Sequence, residues 1–387
     1  MKKLIYLIVM IVALGLIVSG CIPVVPPLEQ SDLSTLTKQV PTVVYVATTG
    51  ADTNPGTSEE PFATIQAAID AASDGYTIIV AAGIYEEEVK IMDKSLTLSG
   101  AQADIPIVNG GRAGDESIIR GKGTSGYPYS WCVVRIQNSD VVVNGFTIEN
   151  GQRGIAIQGS SIRREGISDI LVSHNCIEES GNDGIFRDSA AADVTITYNY
   201  IASNPRGIAT NGGGTTITDN TFYDNGKGID FQGIDPYSVY FSDYADPNYP
   251  TIISDNTFTN DSTSITLRLD KGHQSIAVTG NDITGASSTA IRTRKVYDVD
   301  IVNPAIHYNN IWNNEFGINN QVASINLDAT NNWWGHASGP SGEGGRKNPA
   351  GKIIGKGDAV SLYVNWDPWL PQPINLTHHD PVPLGLK

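Results

Sequence analysis

An asparagine, one further residue and then a large apolar side chain recur eight times along this chain, and that repeat limits the fold more than any other feature. The copies start at Asn144, Asn175, Asn199, Asn220, Asn256, Asn281, Asn309 and Asn331, followed two residues on by Phe146, Ile177, Ile201, Phe222, Phe258, Ile283, Ile311 and Trp333. Successive asparagines are 31, 24, 21, 36, 25, 28 and 22 residues apart. The short intervals cluster at 21 to 25, and the long ones fit the same unit carrying an inserted loop. Such a period means stacked coils. Shortly after most of these asparagines comes a glycine-isoleucine pair: Gly154-Ile155, Gly184-Ile185, Gly207-Ile208, Gly228-Ile229 and Gly317-Ile318, with Ser264-Ile265 and Ala290-Ile291 in two coils. Each coil therefore holds three short alternating strands and no segment long enough for a crossover helix. This fits a parallel solenoid and excludes a doubly wound sheet. A sandwich would show turns every 8 to 12 residues without an asparagine corner at one coil length.

The asparagine has a physical reason to recur. Its side chain tolerates a left-handed backbone at a sharp corner, and its amide can bond the asparagine of the next coil about 4.8 Å away. Glycine before isoleucine is expected to supply a bend at positive φ. Phe62, Ile65, Ile69 and Ala72 fall on one helical face, so a helix near 62–73 is expected to cover the first core layer and its unpaired strand edges. The tryptophan-rich segment from Trp333 to Trp369 is expected to close the other end.

At the amino end, Lys2 and Lys3 precede an apolar run from Leu4 to Val18, then Ser19-Gly20-Cys21. The run is too short and wrongly flanked to span a membrane and reads as an export signal over 1–20. Residues 21–41, rich in proline, show no periodicity and read as a tether. Residues 371–387 form a second proline-rich segment, read as a tail. The lone pair His378-His379 within it reads as solvated tail, although a metal is a conceivable ligand. Of 25 Lys and Arg, two leave with the signal; 23 then face 41 Asp and Glu, a formal −18. Nucleic acid and anionic lipid surfaces are excluded as general partners by that balance. Apart from Cys21, only Cys132 and Cys176 remain, either one disulfide across neighbouring coils or two small buried side chains.

Four resemblances arise along the chain. Val18-Ser19-Gly20-Cys21 resembles the lipobox of bacterial-type lipoproteins, which implies cleavage before Cys21, its lipidation, and an exported protein anchored to the membrane through lipid alone. The coil pattern, over roughly residues 43 to 370, resembles the pectin-lyase-like superfamily. That implies an all-β fold, a right-handed single-stranded parallel β-helix over 42–370 with an amino-terminal capping helix. The stretch Pro61 to Ala72 followed by Asp74 to Glu87 resembles the start of many such proteins, pectin methylesterases included. Asn332-Trp333-Trp334-Gly335, Gly339-Pro340 and Asp367-Pro368-Trp369-Leu370 resemble the closing coil of secreted β-helix-repeat proteins. The later catalytic blocks of the methylesterases are absent, as is the Asp-Pro-His-Asp signature of mannuronan epimerases, so no catalytic residue carries over.

By analogy with that superfamily, the glycine-isoleucine strands face a substrate groove. Isoleucine points inward, so alternation turns Asp230, Arg268, Asp270, Arg292 and Arg294 outward on three adjacent coils, with Lys271 and His273 nearby. Arginine forks bind carboxylates in bidentate fashion, which suits a uronic-acid polymer. The insertion between Gln232 and Thr251 carries Tyr237, Tyr240, Phe241, Tyr244 and Tyr249, ring faces suited to sugars. A lyase would use Arg268 or Arg292 as base, with Asp230 and Asp270 holding Ca²⁺ and Arg294, Lys271, Tyr237, Tyr240 and Tyr244 gripping substrate. A hydrolase would instead pair Asp230 with Asp270 as acid and base. The bland alternative is that these charges are solvated ladder pairs, such as Asp270 with Arg292 or Arg294, and that the tyrosines pack the loop on itself. The expected function is a monomeric, cell-surface protein directed at acidic polysaccharide, a Ca²⁺-dependent lyase or a binder. The competing expectation is a non-catalytic adhesin or envelope scaffold.

Overall fold

The computed structural model describes residues 42–108, 111–123, 132–159, 166–188, 191–232, 250–269, 275–296, 303–342 and 355–376. Cys21, Tyr237, Tyr240, Tyr244, Asp270 and Lys271 lie outside them, as do His273 and the His378-His379 pair.

Three parallel sheets of 12, 9 and 11 strands are built by visiting each sheet in turn. Sheet 1 runs from Val43–Val46 to Val364–Asn365, sheet 2 from Gly83–Tyr85 to Asn310–Trp312, and sheet 3 from Val89–Met92 to the strand Pro340–Gly342. Strand Val194–Thr197 of sheet 1, for example, leads into Tyr200–Ala202 of sheet 2 and Arg206–Thr210 of sheet 3. The next coil repeats the circuit with Thr215–Thr218, Thr221–Tyr223 and Lys227–Phe231. The chain is thus the parallel β-helix expected from its repeat. Isoleucines stack inside: Ile155, Ile185, Ile208, Ile229, Ile265 and Ile291 are in register along sheet 3 and fully buried. Sheet 2 adds Phe222 and Phe258, whose rings lie parallel at 4.5 Å in adjacent coils.

An asparagine column forms the corner between sheets 1 and 2, with two corrections to its membership. Backbone N–H groups of Asn175, Asn199, Asn220, Asn256, Asn281 and Asn309 each donate to the side-chain oxygen of the next member, the last to Asn332, at 2.9–3.1 Å. Each Nδ2 in this series also donates to the next Oδ1, at 2.8–3.1 Å. It further reaches strand carbonyls; for Asn220 these are Ile196 and Thr218. Asn331 is not the rung: it pairs with Tyr308 through the backbone, and its neighbour Asn332 enters the column. Asn144 lies two positions early, opposite Ser173, and bonds Asp104 instead; Phe146 holds the first rung position. The left-handed residue is the one before the rung, as in His174, Tyr198, Asp219, Asp255 and Tyr308 with φ of 53–57°. The asparagine is there for its amide, not for its φ.

Gly154, Gly184 and Gly207 likewise do not bend at positive φ. A Cβ on each would stand 2.6–2.7 Å from the carbonyl oxygen of the corresponding glycine in the next coil, so these residues let coils approach closely.

The expected helix is present as α1, Ile65–Ala71, shorter than 62–73. Thr64 caps it, and the Glu87 carboxylate accepts from the N–H groups of Ile65 and Gln66 at 2.8 and 3.0 Å. Phe62, Ile65, Ile69 and Ala72 are all buried. Trp334 and Trp366 are buried at the far end, where Trp369 donates to the Ala337 carbonyl. Within the segment read as a tail, Ile374 lies on the fold: the Asn310 amide bonds both its N–H and its C=O at 2.9 and 3.0 Å. Cys132 on sheet 3 and Cys176 on sheet 2 are free thiols, both buried.

Candidate functional site on sheet 3

The outer face of sheet 3 carries two charged columns. The first follows from alternation. Lys90, Arg135, Ala156, Phe186, Ala209, Asp230, Thr266, Arg292 and Asn319 stand in register across nine coils. The second consists of the residue before each glycine: Arg153, Asp183, Arg206 and Lys227. Contacts of Arg153 with Phe186, and of Arg206 and Lys227 with Asp230, place these side chains over the face.

Two buried carboxylates order these charges, Asp183 within the second column and Asp230 between the two. Asp183, with a side chain 0% exposed, is held by Arg153 Nε at 3.0 Å and Arg206 Nε at 2.6 Å. Asp230, 1% exposed, meets Lys227 Nζ at 2.9 Å, Gln232 Nε2 at 3.1 Å, Arg294 Nη2 at 3.5 Å and Arg206 Nη1 at 3.6 Å. The Arg153 guanidinium also lies 3.7 Å above the Phe186 ring centre. Burial pushes the Asp183 carboxyl above its ordinary range despite Arg206 and Arg153. At Asp230 burial pushes the same way, but the hydrogen bond and charge of Lys227, with help from Gln232 and Arg294, hold the carboxyl below its ordinary range. Asp230 is therefore an anion with its charge already met.

Of the expected site residues, Asp230 and Arg294 are in contact. Arg268 stands beside Arg294 in register on the adjacent strand. Arg292 shares Asp230's column but turns back along its own strand, donating to Ser288 Oγ at 2.9 Å. Buried polar atoms of this face without a hydrogen-bond partner include Asp230 Oδ1, Thr266 Oγ1, which lies between Asp230 and Arg292, and the Nε atoms of Arg292 and Arg294. Asp230 does not fit the expected calcium role. Ca²⁺ takes six to eight oxygens, whereas three cations surround this carboxylate, and the described residues hold no group of three or more His, Cys, Asp or Glu that could bind a metal. Nor does it fit the acid of a hydrolase, which needs a raised pKa.

Arg153, Asp183, Arg206 and Lys227 were missed by sequence reasoning, although each directly precedes a repeated Gly-Ile pair. Replacing Asp230 by alanine leaves Lys227, Arg206 and Arg294 facing one another. Because those cations are partly exposed and rehydrate, the expected loss of stability is about 2 kcal/mol, readable by urea denaturation; a loss below about 0.5 kcal/mol would show the hub to be ornamental.

Comparison with known proteins divides this face. Residues 48–237 match the family described as a protein of unknown function, DUF1565. The DUF1565 stretch takes in the coils up to Asp230 and ends before Arg268, Arg292 and Arg294. An uncharacterized protein of Bacillus subtilis, YwoF, is 27% identical over 168 residues, 43% of this chain and 29% of that protein, so the chain matches under a third of its length. Among solved structures, pectate lyase Pel9A is 13% identical with a TM-score of 0.49, covering 86% of this chain and 79% of its own. Alginate lyase from Paenibacillus sp. FPU-7 is 12% identical with a TM-score of 0.43, covering 78% and 96%. Polygalacturonase from Erwinia carotovora is 13% identical with a TM-score of 0.45, covering 76% and 93%. Those names describe the relatives. The resemblance to the pectin-lyase-like superfamily holds for this chain at the level of its fold, on its own three-sheet coils.

Proposed function

We propose that the protein is directed at polysaccharide and binds a carboxylate-bearing glycan along the outer face of sheet 3. The observation that carries this is the placement of Arg268 and Arg294 side by side, next to buried Asp230, in a chain whose overall charge is strongly negative. Asp183 and Asp230 set the stems of the basic side chains, and Arg268, Arg292 and Arg294 supply forks for carboxylates recurring along a polymer. Tyr237, Tyr240, Tyr244, Lys271 and Asp270 are the further candidate contacts in this reading. Export through the 1–20 signal, a lipid anchor at Cys21 and the 21–41 tether would place a monomeric domain outside the cell membrane. Helix α1 serves as the lid on the first core layer.

Binding of pectate, alginate and an uncharged polymer to the mature chain tests the reading, with Ca²⁺ and with chelator. The expected result is salt-sensitive binding to the acidic polymers only, weakened at least tenfold in Arg268→Ala and Arg294→Ala. Ultraviolet absorbance of unsaturated products in the same mixtures would add lyase chemistry, with Arg268 or Arg292 as base. Equal binding by parent and variants, or none to any acidic polymer, leaves the scaffold reading.

A further inference from the structure

A second column, at the corner between sheets 2 and 3, stands five residues after the first: Ser180, Asn204, Asn225, Asp261, Ala286 and Asn314 occupy successive coils, and Asp358 accepts from Asn314 at the far end. Ser180 N–H donates to Asn204 Oδ1 at 3.0 Å and Asn204 N–H to Asn225 Oδ1 at 3.1 Å. Asn225 donates from its backbone and its amide to Asp261 Oδ1 at 2.8 and 3.0 Å. At the asparagine rungs, Nδ2 also donates to strand carbonyls: Asn204 to Ile177 and Ala202, Asn225 to Ile201, Asn314 to Ile283 and Trp312. Asp261 is fully buried, and its Oδ2 takes the place of that donor without a hydrogen-bond partner. By the repeat, the carbonyls of Phe222 and Thr259 stand where the amide would aim.

An ionised carboxylate has nothing to donate there; a protonated one does. We infer that Asp261 is a protonation switch in the ladder: as a neutral acid it completes the column as asparagine would, and as a carboxylate it loosens the coil carrying strand Thr263–Arg268. Burial raises this carboxyl to about 7, Asp224 adds to the rise, and the hydrogen bonds from Asn225 oppose it. On the preceding coil the charged groups are Asp224 and Lys227, whose ammonium is engaged by Asp230 at 2.9 Å. The following coil presents Ala286, Ser287 and Ser288, none of them titratable. No cation among the described residues pairs with Asp261.

The sign follows from the raised value. The folded chain holds the proton more tightly than the unfolded one, so this stability is complete below the model-peptide value of 3.8 and falls as pH rises to about 7. Across that window the folding constant is expected to drop about tenfold per pH unit from this group alone. The consequence for glycan binding rests on the proposed reading of sheet 3, whereas the effect on stability does not.

Urea unfolding of the mature chain and of Asp261→Asn from pH 4 to 8 tests the switch. The expected difference between them is small at pH 4 and reaches on the order of a thousandfold in favour of the asparagine form at pH 8. A ¹³C carboxyl titration of Asp261 in the parent chain, expected to have its midpoint near 7, stands even if the variant folds poorly. Parallel stability curves, or a midpoint near 4, would overturn the inference. Loss of glycan binding at every pH with the stability difference intact would remove only the proposed function.

Discussion

Asn220→Ala is expected to destabilise the protein by about 4 kcal/mol or more, among the largest losses a single side chain here can cause. The amide of Asn220 sits in the middle of the column and is fully enclosed. Removing it takes the acceptor from both the backbone N–H and the Nδ2 of Asn199, and the donor from the carbonyls of Ile196 and Thr218. Each buried group left unpaired costs roughly 1–3 kcal/mol, and no water replaces it where the next coil lies about 4.8 Å away. Asn331→Gly is the control. Its φ of 59° suits glycine, and its amide makes only a 3.5 Å contact with Thr330, so a loss under about 1 kcal/mol is expected. Equal losses at the two positions in denaturant melts would mean that the column is not what holds the corner.

Arg187→Ala is expected to cost about 4 kcal/mol by a different route. Arg187 shares the parity of Ile185 on strand Asp183–Arg187, so its side chain enters the coil, where it is 1% exposed. Its guanidinium donates to the carbonyls of Ala191, Asn211 and Gly213. Neighbouring Thr210, in register on the next strand, is smaller than the Phe231 and Leu267 that follow in the same inward column, and leaves the guanidinium its room. Burial draws Arg187 down to about 10, with Asp188 opposing, so it remains charged at neutral pH. Alanine removes the donors and leaves a cavity. Methionine fills most of the volume but still strands the carbonyls, so an intermediate loss is expected, measured by the same melts. A methionine variant as stable as the parent would show that the guanidinium contributes packing alone.

The coil period, the inward isoleucines and the outward Asp230, Arg268, Arg292 and Arg294 were legible because alternation and the Asn and Gly-Ile repeats agree across levels. The last rung was not legible, since Asn331 and Asn332 are chemically identical neighbours and only the register of Tyr308 separates them. The column at Asn204, Asn225 and Asp261 was legible in principle, five residues after each first-column asparagine, but Ser180 and Ala286 break its identity. Arg187 shows the limit of residue-type reasoning. Parity placed it inside, yet arginine is expected outside, and only the carbonyls of the Ala191 to Gly213 corner explain how it is accommodated. The contact between Arg294 and Asp230 skips a strand, which alternation alone does not convey.

The asparagine columns and the charged face both depend on successive coils lying one above another with no slip. Nitroxide labels on Thr97 and Ala277 test this directly, because both face outward in one column of sheet 1, six strands apart. Pulsed electron resonance on that pair should give about 29 Å, and a Thr97 and Thr216 pair, four strands apart, about 19 Å. Separations that do not rise by roughly 4.8 Å per coil would contradict the stacked architecture and the charged face built on it.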